Sequence, residues 1–397
     1  MTNIRTDSME LRAELVDRVH KFGPILADGV AEGERERRLS DNSVRAIDDS
    51  QVSRVWTASA YGGLEADVRT LSEVTKALSH YCPSTSWVVN NINGSNLFSA
   101  KFPREARDEV FGDNPGAKMA SIFAAQGTAV RTAGGYLLNG SWPYGTGIVH
   151  ADFAILIAKE LDADGEALGG LSVLVPTSDL TIEDTWHTVG MRGTGSHTAV
   201  AREVFVPEHR VIPAALQRGR ENATDTTLPP LFRTAAIAAL ATICASVVVG
   251  VGQAARAFVI ERAPGRGIAP TGFANQTASP TFVSALGKTA LQIDAAELHV
   301  DRAADVLDAA AAAATALPDS ELLRIRGDVG QAVNLVTVAL DELMWAHGAA
   351  AFAESNPMQQ YWRDANTAAR HAMLNVHVGH ELYGGSFFGL DHIVPSL

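Results

Sequence analysis

The chain has little cysteine and more acidic than basic residues. Its 397 residues include only two cysteines, Cys82 and Cys244, so neither a disulfide framework nor a CxxC metal site can be built from them. The formal net charge of -13 argues against a nucleic-acid partner, which would require clustered lysine and arginine. The N-terminal segment lacks the apolar core of a signal peptide. These absences predict a protein of the reducing cytoplasm.

The composition is that of a large folded protein. Hydrophobic residues make up 46% of the chain and charged residues 19%, which is too apolar for a disordered chain and enough for a sizeable core. The longest apolar run, from Ala235 to Gly252, is interrupted by Thr242, Cys244 and Ser246. We therefore predict that it is a buried helix and that the protein does not span a membrane.

The pattern of the chain changes twice. Helical spacing extends to about residue 107, with a cap cluster opening a helix at Ser40 and another helix beginning at Ser84 after Pro83. Short apolar runs separated by turns follow as far as Pro213, and they indicate strands. We predict an α+β protein with an N-terminal helical domain (1–116), a central antiparallel β-barrel or sandwich (117–217) and a C-terminal four-helix bundle (218–397).

A glycine-rich segment from Trp186 to Arg210 is the most informative part of the sequence. Its Gly-Thr-Gly-Ser turn would let the backbone approach a flat or charged ligand closely. Thr194, Gly195 and Ser196 could then offer hydrogen bonds to the polar edge of a cofactor ring. A plain surface hairpin explains the same residues equally well.

Two further segments are expected to face a cleft between the helical and β layers, where cofactor sites are common. In one, Trp142 and Tyr144 could supply stacking area and Thr146 a hydroxyl, although a β-turn with exposed aromatics is the alternative. In the other, Arg363 and Asp364 precede a predicted helix that carries His371 and Asn375 on one face. That spacing, without a glutamate, is not a metal signature, so no metal is predicted.

The order of these marks resembles the acyl-CoA dehydrogenase fold. The marks are Ser86-Trp87-Val88 with Phe102-Pro103, Gly134-Gly135-Tyr136 through Thr146-Gly147, Trp186 through Ser196 to Phe205-Val-Pro207, and Asn356-Pro-Met-Gln359 with Trp362-Arg-Asp364 and His371. Within that fold the chain resembles the two-component (group D) flavin monooxygenases, the family of the 4-hydroxyphenylacetate 3-hydroxylase oxygenase component. The resemblance covers nearly the whole chain.

The resemblance implies an oxygenase component supplied with reduced flavin by a separate NAD(P)H–flavin reductase. Such an enzyme uses FADH2 (preferred here, with FMNH2 possible) and O2, through a C4a-hydroperoxyflavin, to hydroxylate a phenolic, indolic or polycyclic aromatic substrate. The family usually forms homotetramers, and a dimer is also compatible. His371 matches the family's catalytic histidine, although a satisfied core histidine is the alternative. Thr146 stands where the hydroxylases often carry a serine near flavin N5.

Further site residues follow from the same resemblance and from the cleft. Arg262 resembles an arginine that reaches the flavin phosphate or adenine from a neighbouring subunit, although a solvated arginine at a helix end fits as well. Ser95 occupies the position of a second histidine in several hydroxylases, so we expect different proton chemistry on the substrate side. The complete cofactor set is Trp142, Tyr144, Thr146, Arg192, Thr194, Gly195, Ser196, Arg262 and Arg363, and the substrate set is Trp87, Asn91, Ile92, Ser95, Phe123, Phe352 and Asn375.

Three alternatives remain at this point. An acyl-CoA dehydrogenase needs a glutamate base, but residues 363–375 contain none and offer His371 instead. A glutamate elsewhere that faced the flavin, such as Glu342 or Glu381, would favour that activity. An N-oxygenating nitrososynthase-like enzyme and a flavin-fold scaffold without activity are the other two, because a fold alone does not determine function.

Overall fold

The computed structural model describes residues 2–162, 164–218 and 220–391. Helices come first in the chain, strands follow, and helices occupy the rest, as predicted. The first group of helices comprises α1 (Thr2–Asp28), α2 (Val30–Glu36), α3 (Asp41–Ser50), α4 (Val68–Ser79), α5 (Pro83–Ser99) and α6 (Arg104–Phe111). The strands are β1 (Met119–Thr132), β2 (Gly135–Gly145), β3 (Phe153–Leu161), β4 (Ala167–Pro176), β5 (Thr181–Glu183), β6 (His197–Pro207) and β7 (Val211–Pro213). The last helices are α7 (Ala215–Arg218), α8 (Ala236–Arg262), α9 (Pro280–Ala312), α10 (Asp319–His347), α11 (Pro357–Ala368) and α12 (Val376–Ser386).

Local caps explain where several of these helices begin. The Ser40 hydroxyl accepts a hydrogen bond from the Ser43 amide at 3.1 Å and starts α3. Pro83 is the first residue of α5, where its missing N–H costs nothing. The Asn356 side chain accepts a hydrogen bond from the Met358 amide and caps α11, and Pro357 is the first residue of that helix. These local signals confirm the predicted starts at Ser40 and near Ser84.

The strands form one seven-stranded sheet with the order β5-β6-β2-β1-β3-β4-β7. Five of the six pairs are antiparallel, whereas β1 pairs with β3 in parallel. The sheet is thus mainly antiparallel, as predicted, and the parallel pair of β1 with β3 is a departure from that prediction. The parallel pairing arises because the chain leaves β2 through a turn and a short 3-10 helix before β3 begins on the other side of β1.

The helices share one hydrophobic core, and the sheet has another. The larger core joins residues of the N-terminal helical segment, such as Leu15 on α1, Leu71 on α4 and Trp56 in the turn between α3 and α4, to residues of α8, α9 and α10. The two helical segments of the sequence are thus packed together. The helical segment Ala236–Gly265 is long and apolar enough to cross a membrane. However, 94% of the residues in its apolar 18-residue stretch are buried inside the protein. This confirms the prediction of a buried helix.

Candidate active site

Four segments converge at the junction of the sheet with the helices. The turn at the end of β2 and the segment 186–196 both pack on α5: a Cβ atom on Gly147 would lie 3.1 Å from Val88, and one on Gly193 would lie 3.1 Å from Ser84. Residues after α11 also approach α5, because the His371 ring lies 5.5 Å from that of Trp87 in an edge-to-face arrangement. The structure therefore brings the three predicted site segments together around α5.

Three hydroxyl groups form a chain between the two glycine-containing turns. Thr146 Oγ1 lies 3.1 Å from Ser196 Oγ, which lies 2.7 Å from Thr194 Oγ1. Thr194 donates its proton to the Met191 carbonyl at 2.9 Å, and its own carbonyl accepts from the Gly147 amide at 2.9 Å. Because the Met191 carbonyl can only accept, the chain is anchored at that end. Thr146 is the terminal hydroxyl, with its remaining capacity free for another partner.

Residues 188–192 are held in place by α2 and α11. Asp364 Oδ1 accepts a hydrogen bond from the Met191 amide at 2.5 Å, and Met191 has a left-handed backbone with φ of 55°. A Cβ atom on Gly190 would lie only 2.3 Å from the Arg363 carbonyl oxygen, so glycine is required for this close approach. The segment and α11 are therefore in direct backbone contact.

Two arginines predicted to bind the cofactor complete this attachment. Arg192 donates to the Glu34 carbonyl at 2.9 Å and to the Thr188 carbonyl at 3.0 Å. Arg363 donates to the Val189 carbonyl and pairs with Glu34 Oε2 at 3.0 Å. Both guanidinium groups thus hold the segment through bonds to protein atoms, and their direct contact with a cofactor stays a prediction.

Asp364 is an ionisable group in an unfavourable place. Its side chain is fully buried, and Oδ2 has no hydrogen-bond partner. Burial, followed by the nearby charge of Glu34, raises the pKa of Asp364 to about 7. A carboxyl group with this pKa is half protonated at neutral pH. The contact of Asp364 with Met191 joins residues far apart in the chain, so no local sequence pattern indicates it.

His371 follows the end of α11 at Ala368 and is not part of a helix. Its Nδ1 accepts a hydrogen bond from the Met373 amide at 3.3 Å, which caps a short 3-10 helix. The residue is exposed to solvent, and the protein atoms packed around its ring partly desolvate it. Desolvation, together with the charge of Arg326, lowers the pKa of His371 to about 4, so the imidazole is neutral at physiological pH.

The helix predicted to carry His371 and Asn375 on one face is interrupted. Both residues have extended backbone, with ψ of 141° and 111°, because each caps the element that follows it. Asn375 Oδ1 accepts from the Val378 amide at 3.2 Å and starts α12. The prediction of a shared helix face is wrong, and Asn375 is the capping residue of α12.

Three other predicted site residues are either fully buried or lie at the surface. Trp142 is fully buried in the core of the sheet, where its indole N–H donates to the Ile157 carbonyl at 2.8 Å, so it presents no face to a cofactor. The Ser95 hydroxyl is buried and already bonded to the Asn91 carbonyl and to Ser121, both at 2.8 Å. Phe352 is 62% exposed beside Trp362 on the protein surface. Trp142 is therefore not available to stack on a flavin, whereas the assignments of Ser95 and Phe352 to the substrate stay predictions.

The remaining predicted residues occupy intermediate positions. Tyr144 is 68% exposed, and its ring lies 6.2 Å from that of Trp186, at the mouth of the junction. Asn91 is half-buried on α5, one turn from Trp87. Phe123 is half-buried against Phe98, with ring centres 4.7 Å apart. Ile92 is buried in the larger core, whereas Arg262 is exposed at the end of α8.

The two glutamates that would have favoured a dehydrogenase are not in this cleft. Glu342 pairs with Lys288 at 3.0 Å across the outer faces of α9 and α10. Glu381 is exposed on α12. Within residues 2–162, 164–218 and 220–391, no three His, Cys, Asp or Glu side chains are grouped as metal ligands. The ring that packs on Trp87 at the junction is the imidazole of His371.

Comparison with known proteins identifies relatives along the whole chain. Residues 242–376 match the family model described as "Acyl-CoA dehydrogenase, C-terminal domain". The oxygenase subunit HsaA of a flavin-dependent monooxygenase from Mycobacterium tuberculosis is 31% identical over 370 residues, covering 92% of this chain and 93% of that protein. The oxygenase component of an FADH2-dependent resorcinol hydroxylase from a Rhizobium species is 30% identical, covering 95% and 94%.

A solved structure is more similar still. XiaF from a Streptomyces species, determined in complex with FADH2 and glycerol, shares 76% sequence identity and superposes with a TM-score of 0.98 over 100% of both chains. The predicted fold, with a sheet between an N-terminal helical segment and a C-terminal helical bundle, is confirmed by these matches.

Proposed function

Since the chain belongs to the oxygenase subunits of flavin-dependent monooxygenases, we propose that it takes FADH2 from a separate NAD(P)H–flavin reductase and hydroxylates an aromatic substrate with O2. The observation that carries the proposal is the neutral His371 imidazole against Trp87, where a dehydrogenase would need a carboxylate. A phenolic, indolic or polycyclic acceptor suits the aromatic rings of Trp87 and His371. We place both components in the cytoplasm.

The residues at the junction fit a reduced flavin. An isoalloxazine has flat apolar faces and one polar edge, and it needs hydrogen bonds along that edge only. Thr146 is the open end of the hydroxyl chain through Ser196 to Thr194, and it can either donate or accept. Gly195, with φ of 55°, lets the backbone turn sharply behind these hydroxyls. Tyr144 and Trp186 add aromatic surface at the mouth.

The bound reduced flavin would supply the electrons and the oxygen chemistry. The protein's residues would do the rest. Thr146 would hold the polar edge of the ring, while the core residues around Trp87 would keep water away from the reacting atoms. His371, neutral in the substrate-free protein, would accept a proton from the O–H or N–H of the acceptor.

Anaerobic titration and a single turnover test this function. Reduced FAD should bind the purified chain, and subsequent mixing with O2 should give a transient absorbance that differs from those of free reduced and oxidised flavin. The substrate search then uses phenols and indoles. Oxidation at the rate of free flavin alone would contradict the proposal. Reduction of bound oxidised FAD by an acyl-CoA thioester would instead identify a dehydrogenase.

Replacing Thr146 by valine tests the hydroxyl chain. Valine keeps the shape of threonine but cannot hydrogen-bond, so we expect reduced FAD to bind about 10-fold more weakly, the equivalent of one lost hydrogen bond of roughly 1.4 kcal/mol. The matched control is Thr337→Val, at a threonine that bonds only to its own helix. Equal affinities for wild type and Thr146→Val would remove Thr146 from the site.

We also propose that the chain forms a homotetramer, or at least a dimer, through the outer faces of α9 and α10. Leu291 and Leu298 on α9, seven residues apart, are 71% and 69% exposed. Val338 and Trp345 on α10, also seven apart, are exposed too. Seven-residue spacing places each pair on one helix face, and an apolar face of this kind is typical of a protein interface. Arg262, the last residue of α8, is the proposed contact with the flavin of a neighbouring copy.

Leu291→Glu should dissociate the assembly, because two or more copies would then bring buried charges together. Light scattering after size exclusion is expected to show a smaller species than the wild type. Leu168→Glu is the matched control, since Leu168 is similarly exposed but lies on β4. A wild-type protein that runs as a monomer would contradict the proposed assembly.

A further inference from the structure

Arg326, on α10, is a buried cation without a carboxylate partner. Its side chain is 6% exposed, Nη1 donates to the Met373 carbonyl at 2.6 Å, and Nε has no hydrogen-bond partner. No described Asp or Glu side chain lies within 4.0 Å of its guanidinium group. Because burying an unpaired charge is costly, such charges are usually matched by an opposite charge.

Its neighbours on the same helix show the ordinary arrangement. Arg324 donates to Asp328 Oδ1 at 3.0 Å and to the Tyr383 hydroxyl at 2.8 Å. Arg302, from α9, also pairs with Asp328 at 2.8 Å. Arg326 lies one half-turn from Arg324 and therefore points to a different side of α10. The fold thus satisfies the outer arginines and leaves Arg326 unpaired.

Arg326 lies next to the histidine of the proposed active site. It binds the carbonyl of Met373, while His371 Nδ1 accepts from the amide of the same residue. Its backbone is fixed there, because a Cβ atom on Gly379 of α12 would lie 2.6 Å from the Arg326 carbonyl oxygen. The guanidinium and the imidazole are thus held by one short segment, at the end of the cleft that contacts Trp87.

We propose that Arg326 binds an anionic oxygen of the aromatic acceptor, either a carboxylate substituent or a phenolate, and so orients the acceptor beside His371. The proposal rests on the proposed function, because it takes the acceptor to lie at His371. A guanidinium presents paired N–H donors that suit a carboxylate or a phenolate oxygen. The acceptor class would accordingly be aromatic acids or acidic phenols, rather than neutral hydrocarbons.

Binding of such an anion would also change the neighbouring imidazole. The positive charge of Arg326 contributes to the low pKa of His371 in the substrate-free protein. An oxyanion paired with Arg326 would offset that charge, and the pKa of His371 would rise toward the pH at which the enzyme works. A base is most effective when its pKa lies near that pH. For an acceptor that carries a carboxylate and still has its O–H or N–H proton, substrate binding and activation of the base would therefore be coupled.

Matched ligand pairs test the proposal on the purified, flavin-free chain. Indole-3-acetate and 3-methylindole differ in a carboxylate, while 4-nitrophenolate and 4-nitroanisole differ in a phenolate oxygen. We expect wild type to prefer the anion of one pair by about 10- to 100-fold, as for a hydrogen bond to a charged group. The preferred pair identifies the source of the anion. Arg326→Gln should abolish the preference, and Arg326→Lys should keep part of it.

Arg324→Gln is the control, since it removes a neighbouring cation and should leave the preference intact. Equal binding within both pairs, or no binding of either anion to the wild type, would overturn the proposal, even if Arg326→Gln did not fold. Retained preference in Arg326→Gln would overturn it as well. A variant that keeps the preference but loses reduced FAD would assign Arg326 to the cofactor instead. Failure of wild type to bind flavin would count against the proposed function, while the ligand pairs still report on Arg326.

Discussion

A His371→Asn variant is expected to bind reduced FAD about as well as the wild type and to lose at least about 100-fold in the rate of hydroxylation. Asparagine is the informative replacement because its side chain can cap the following 3-10 helix, as His371 does with the Met373 amide, but it cannot accept a proton. Consumption of O2 should continue, with hydrogen peroxide released in place of hydroxylated product. The measurement is the ratio of product to peroxide in a single turnover.

The matched control is His377→Asn. His377 is exposed on α12 and lies outside the contacts that hold His371 and Trp87 together. It should keep the wild-type ratio of product to peroxide. Full coupling in His371→Asn would mean that the imidazole neither removes a proton from the acceptor nor positions it, and the proposed chemistry would then need a different base.

The parts of the fold that were predictable are those set by neighbouring residues. Ser40 and Pro83 mark helix starts because caps and proline act within one turn. The parallel contact of β1 with β3 was not predictable from strand patterns, because it depends on how the chain crosses between distant strands. The shared core of the first and last helices is non-local in the same sense.

Within the site, the burial of Trp142 was predictable from the sequence, whereas the contact of Asp364 with Met191 was not. Tyr136, Leu138 and Trp142 alternate along β2, and all three are buried, so the strand period already indicated one inward face. Asp364 gives no such signal, since its role depends on the Met191 amide, which lies 173 positions earlier in the chain. Arg326 is similar: only the fold shows that no described carboxylate pairs with it.

Asp364→Asn should remove a pH dependence of stability that the wild type shows between about pH 4 and pH 7. The folded protein holds the Asp364 proton up to about pH 7, whereas an unfolded aspartate loses it near pH 3.9. In that interval the folded state binds more protons, so the free energy of unfolding falls as the pH rises. A shift of about three pKa units corresponds to at most about 4 kcal/mol. Asparagine keeps an acceptor for the Met191 amide but does not titrate.

Comparing Asp364→Asn with Asp364→Leu separates the effect of the Asp364 charge from the effect of its hydrogen bond with the Met191 amide. Denaturant unfolding across this pH range should show Asp364→Asn gaining stability over wild type as the pH rises, while other titrating groups cancel in the difference. Asp364→Leu instead leaves the Met191 amide without an acceptor, which costs about 1–3 kcal/mol at every pH. Because Met191 anchors the hydroxyl chain through Thr194, the leucine variant should also bind reduced FAD more weakly. Parallel pH profiles for wild type and Asp364→Asn would show that the carboxyl group stays ionised in the folded protein. Unchanged flavin affinity in Asp364→Leu would show that the hydrogen bond from Met191 to Asp364 does not position the cofactor site.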